Sequence, residues 1–195
     1  MRKGTIALIV FVVFVLIGGM WACNERNSFV KKREAAKAQW QQIESQYQRR
    51  ADLVPNIVAT VKGEANFEKS TLEAVVAARA KATQITLSAD NLDEASMQKF
   101  KAAQAELGSS LSRLLAVSES YPSLKTNAGF SELRTTLEGC ENRISTERMR
   151  YNEMVRNYNQ ALQLFPGNML AGGFAPMPYF EAEAGTEKAP KVDFN

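Results

Sequence analysis

Glu138, Glu141 and Glu147 are the residues most able to do chemistry by type and spacing, because clustered carboxylates can bind a metal or exchange protons. Di-metal sites in helical bundles, however, combine glutamates with Glu-x-x-His motifs, and this chain has no histidine. Its absence removes the commonest general base and imidazole ligation of zinc. The two cysteines, Cys23 and Cys140, are far apart and predict no disulfide framework. Cys140 falls on an apolar helical seam and reads as a buried, inert thiol. No GxGxxG, P-loop or GxSxG motif occurs, and the charge pairs read as solvated helix faces. The expectation is therefore no enzyme, no metal, no cofactor and no small-molecule substrate. A net charge of +3 is too small to point to nucleic acid.

A second set of polar residues interrupts apolar seams. Tyr151 and Tyr158 stand one heptad apart, with Asn152 and Asn159 one residue further round. Either the rings pack in a core with their polar atoms satisfied at its edge, or the Asn row faces a neighbouring subunit and sets register. Arg148 occupies a seam position, where a guanidinium needs a partner or a route to solvent. Asp52, in the segment Arg49-Arg50-Ala51-Asp52, is the candidate partner.

These residues need helices to position them. Strand-type alternation is absent, and apolar residues recur at steps of three and four. The expected helices run from about Asn27 to Lys62, Asn66 to Ile85, Asp93 to Glu119 and Ala128 to Phe165. Pro55 should kink the first near Ala51–Leu53. Asp90 or Asn91 can cap the third, and Asn127 the fourth. Two consecutive steps of four at Cys140–Ile144–Arg148 form a stutter. The fold class is all-α: a single membrane helix, then an elongated antiparallel bundle with long first and last helices. The bundle takes residues 27–165. A Gly/Pro/Ala-rich tail takes 166–195, with Phe174 and Tyr179-Phe180 able to dock back and Glu183–Asn195 reading as disordered.

The anchor segment is residues 1–26. Thr5–Ala22 is uncharged and mostly apolar, and as a helix would span about 27 Å, near a bilayer's hydrocarbon thickness. An uncleaved signal-anchor is the leading reading. A cleaved secretory signal and a lipoprotein signal with Cys23 acylated behind Ala22 are the others. Lys31, Lys32 and Arg33 follow as an anchor flank or a lipid-headgroup contact. Lys and Arg near the two ends favour a cytoplasmic bundle by count, although Arg2-Lys3 ahead of the run also suits an exported anchor.

Several ordered motifs resemble one family. They are RRADLVPNIVATVKG (Arg49–Gly63, including Pro55 and Asn56), Ala78-Arg79, ESYPSLKTNAGFSELRTTLEGCENRI (Glu119–Ile144), YNEMVRNYNQALQLFP (Tyr151–Pro166) and KAPKVDF (Lys188–Phe194). Together they resemble the LemA family across most of the chain after the anchor. The resemblance implies one N-terminal membrane helix and a helical bundle, with no activity established for the family at large. It also implies a TPM-domain membrane protein as a candidate partner, which tilts the bundle toward the periplasm of a bacterial inner membrane.

Three functions remain open at this point. The leading one is a membrane-anchored scaffold that self-associates into a homo-oligomer. The second is a monomeric adaptor or regulator of another membrane protein, such as a TPM-domain protein or a membrane protease. The third is a lipid-binding module that uses Lys31-Lys32-Arg33 and the anchor flank, and an enzyme ranks last.

Overall fold

The computed structural model describes residues 3–64 and 67–180, and among them there are helices and turns but no strand. Helix α1 is Lys3–Lys62, α2 is Lys69–Gln84, α3 is Glu94–Ser118, α4 is Pro122–Thr126 and α5 is Ala128–Gln163, followed by a 3-10 turn at Gly167–Met169. The Lys188–Phe194 motif and the expected disorder over Glu183–Asn195 lie outside the described residues, as do Arg2 and Asn66.

Anchor and first bundle helix are one element. At 60 residues, α1 is about 90 Å long and runs unbroken through residues 26 and 27. Cys23–Ser28 contains no Gly or Pro to stop it. Its first third is exposed all round: Ile6, Phe11, Phe14, Ile17 and Met20 cover nothing in the protein, as expected of side chains that face lipid. From Phe29 onward one face is buried. Phe29, Ala36, Ile43, Arg50 and Ile57 form one heptad column, and Trp40, Tyr47, Val54 and Val61 the other.

A single residue, Asn127, separates α4 from α5. Asn127 accepts from the Phe130 amide at 2.9 Å, as expected. Helix α5 then runs back along α1 toward the membrane end, and α2 and α3 form a hairpin against the pair. Two of the expectations need correction. The α3 cap is Asp93, which accepts from the Ser96 amide and hydroxyl at 2.9 and 2.7 Å. Asp90 instead meets Lys37 at 2.7 Å, tying the α2–α3 loop to α1. The expected four helices also lacked α4, which Pro122 opens from its first turn, where a missing amide costs nothing.

The core has two parts. The distal part joins Val54, Ile57 and Val61 of α1 to Leu72, Val75 and Ala78 of α2, Leu107, Leu111 and Leu114 of α3, and Phe130 and Leu137 of α5. The part nearer the membrane joins Phe29, Trp40 and Tyr47 to Met97, Phe100, Ile144, Tyr151, Val155 and Tyr158, and takes Met177 and Phe180 from the tail. There Trp40 donates to the Leu87 carbonyl at 2.7 Å, so the α2–α3 loop satisfies the indole inside an apolar layer.

Pro55 leaves α1 unbroken. Lacking an amide hydrogen, it cannot bond the carbonyl one turn back, at Ala51. Arg79 of α2 supplies the missing donor: its Nε reaches Ala51 O at 2.8 Å. This bond explains why an arginine in the Ala78-Arg79 motif accompanies the proline. Arg79→Met is expected to lower stability by about 1–3 kcal/mol. In a Pro55→Ala background the restored amide should serve Ala51, and the loss should shrink. Equal losses in both backgrounds, by denaturant titration, would show that the bond is not what Arg79 contributes.

Candidate functional site

The Tyr/Asn row of α5 is a built site, and its occupant is the chain's own tail. Asn159 donates to Met177 O and accepts from Met177 N, both at 2.9 Å. Asn152 repeats the pattern on Phe180, at 2.8 and 2.7 Å. Tyr158 donates to Ala175 O at 3.0 Å, and Tyr151 to Pro178 O at 2.9 Å. The register follows from two rises. Seven helical residues advance about 10.5 Å, and three extended residues about 10 Å. One heptad of α5 therefore holds three residues of tail, and the tail runs antiparallel to the helix. Burial pushes both tyrosine hydroxyls above their usual pKa, Tyr151 further than Tyr158, so both remain donors at neutral pH.

Phe174 and Phe180 anchor this strap at its ends. Phe174 meets Phe29 edge-on at 5.4 Å and lies under two guanidinium groups, Arg26 at 5.2 Å and Arg33 at 5.6 Å. Phe180 stacks near Trp40 and Tyr47, at 6.3 and 6.4 Å, with Arg148 over its ring at 4.1 Å and Lys101 at 5.8 Å. Tyr179 stays exposed between them. At the foot of the strap Gly167 admits no side chain, because a Cβ there would sit 2.2 Å from Ala161 O. Of the two readings of this row, the structure bears out the first: the tyrosine rings pack in the core, and their hydroxyls and the Asn amides are satisfied at its edge by the tail.

A second cluster lies between the two parts of the core. Arg50, 4% exposed, donates from Nη1 to Glu141 at 3.0 Å and from Nη2 to the Gln104 carbonyl and side-chain oxygens at 2.8 and 2.7 Å. Its guanidinium also lies 4.9 Å from the Tyr47 ring centre. Gln104 Nε2 passes the network on to Ala82 O at 3.4 Å. One arginine so links α1, α3 and α5, and a groove of about 690 Å³ opens beside it toward Lys101, Gly108, Asn142 and Arg148.

The expected Arg148–Asp52 pair is therefore replaced by Arg50–Glu141. Asp52 is exposed and accepts from Gln48 on its own helix at 2.9 Å. Arg148 is half-buried on Phe180, and the stutter carries the seam from Ile144 to Tyr151 past it. Arg49, Pro55 and Asn56 are exposed on α1 and do not join the cluster; the Asn56 carbonyl accepts from the Thr60 hydroxyl. Each candidate carboxylate has its own partner: Glu138 meets Arg134, Glu141 meets Arg50, and Glu147 meets Gln39 and Arg150. Among the described residues no three potential ligands are gathered for a metal. Cys140 is buried, its thiol facing the Gln46 carbonyl at 3.3 Å, and burial raises its pKa. Cys23 is exposed on α1 at the end of the apolar segment.

The anchor flank divides its work. Arg33 serves the strap, while Lys31 is exposed. Lys31 stands nine residues beyond Ala22, about 14 Å along the helix. Arg26, four residues beyond Ala22, reaches the carbonyls of Leu170 and Gly172 at 3.1 and 3.3 Å. Sequence reasoning missed Arg26, Arg79 and Gln104 as structural donors and acceptors. For Gln104 a signal existed, since it stands polar among Phe100, Leu107 and Leu111 on the α3 seam.

The LemA family profile matches residues 39–194, which includes both clusters and the strap. The magnetosome protein MamQ of Magnetospirillum gryphiswaldense is 27% identical over 173 residues, covering 79% of this chain and 64% of that protein. MamQ 2 of Paramagnetospirillum magneticum is 36% identical over 81 residues, covering 40% of this chain and 30% of that one. The chain spans less than two thirds of the length of these relatives, and none of their names denotes an enzyme. With the profile covering more than half of its residues, the chain belongs to the LemA family.

Proposed function

We propose that this protein is a non-enzymatic scaffold, held by one pass in a bacterial inner membrane, that self-associates into a homo-oligomer on the periplasmic face. The observation that carries the reading is the continuity of α1. With no break between the apolar segment and the bundle, every copy stands at the same height and presents the same lateral surface. Tethering to one membrane raises local concentration, so weak lateral contacts suffice. The strap already covers the Tyr151–Asn159 face, so the contact surface shifts round α5 to the exposed Met149, Glu153 and Arg156 and to Tyr179 of the strap.

Two differently tagged copies expressed together test this. Self-association predicts that either tag recovers the other from mild detergent, and that Met149→Arg with Tyr179→Arg weakens the recovery. Recovery of one tag alone, with a different protein at fixed ratio, would replace the scaffold with the adaptor.

A further inference from the structure

Outside the apolar segment of α1, exposed large hydrophobic side chains are few among the described residues: Val30, Val76, Met149, Leu164, Phe165, Met169 and Tyr179. Three of them share the turn after α5. Leu164, Phe165 and Met169 are 64, 78 and 75% exposed. Elsewhere in the bundle exposed large apolar side chains stand singly along the chain, so that concentration marks a contact surface. Its position says which. Gly167 packs against Phe29, and Arg26 holds the carbonyls of Leu170 and Gly172. The turn is thus level with residues 26–29 of α1, about 6–10 Å beyond Ala22. The interfacial layer of each leaflet is about 5–8 Å deep, and α5 enters the turn heading toward it. The turn's apolar side chains therefore lie close along α1 to a surface that is itself apolar and exposed.

We infer that the Leu164–Met169 turn is a second membrane contact, inserting Phe165 and Met169 at the headgroup–acyl boundary of the bilayer that holds α1. Arg26 stands beside them, where an anionic headgroup would find a cation. One helix alone leaves rotation and tilt free. A second point of contact on one side of α1 removes that freedom and sets which face of the bundle turns toward its neighbours. The inference rests on α1 occupying the bilayer.

Site-directed spin labels on the full chain test it, in vesicles of phosphatidylethanolamine and phosphatidylglycerol. Phe14→Cys, Phe165→Cys and Val76→Cys are each placed in a Cys23→Ser background. All three sites are exposed, so labelling displaces no packed side chain. Collision with lipid-soluble oxygen is compared with collision with an aqueous nickel chelate. The expected oxygen-to-nickel ratio is highest at 14, intermediate at 165 and lowest at 76. A lipid-like label at 14 with a label at 165 as aqueous as that at 76 would overturn the second contact and leave the anchor standing. A label at 165 shielded from both reagents would also overturn it, since protein would then cover the turn. An aqueous label at 14 would remove the anchor, and the inference with it.

Discussion

Asn159→Ala is expected to cost about 2–3 kcal/mol and to release the strap while leaving the distal bundle folded. Asn159 is 6% exposed and satisfies both the amide and the carbonyl of Met177. Alanine leaves two buried backbone groups without partners and no water to replace them. Releasing Met177 also uncovers part of the inner apolar surface near Trp40 and Val155. Hydrogen exchange should show the amides of Met177 and Phe180 losing protection, with the α2–α3 amides unchanged. Asn152→Ala should act in the same direction with a smaller effect, because Asn152 is only half-buried. If both variants melt the whole bundle at once, the strap is inseparable from the fold and not a docked segment.

Arg50→Ala is expected to be the more damaging change, at about 3–5 kcal/mol, because it removes one partner from a largely buried polar network. The Gln104 side chain and carbonyl would lose two donors in a layer where water cannot easily enter. Arg50→Lys should recover little, since an ammonium cannot span Gln104 and Glu141 as the planar fork does. Glu141→Gln should cost far less: Glu141 is 44% exposed and its charge is screened by solvent. Denaturant titration of the three variants gives the ranking. A Glu141→Gln loss equal to that of Arg50→Ala would place the stabilisation in the ion pair instead of the Gln104 bonds.

The helices were legible because each carries a periodic apolar seam and a recognisable end. The α3 column Met97, Phe100, Leu107, Leu111 and Leu114 is buried along its length, and Asn127 caps α5 as its residue type predicts. The tail was half legible. An extended segment held by backbone atoms has no period, and any sequence supplies amides and carbonyls. Only the receiving row, Tyr151-Asn152 and Tyr158-Asn159, marked where it would lie, and that row reads equally as a helix–helix interface. The buried arginine was misplaced for a related reason. Arg148 interrupts a seam that a stutter had already displaced, whereas Arg50 fills a vacant rung between Ile43 and Ile57 on α1. Completing that heptad column identifies Arg50 as the inward charge, and Gln104 on the facing seam as its neutral partner.

The strap, the Arg50 layer and the continuous α1 together stiffen the protomer, and the proposal is that such bodies assemble side by side. The mass of the intact protein in mild detergent, corrected for bound detergent, with particle images of the same sample, decides it. A uniform particle of several protomers with parallel anchors is expected. A particle of one protomer across the accessible concentration range would overturn the scaffold.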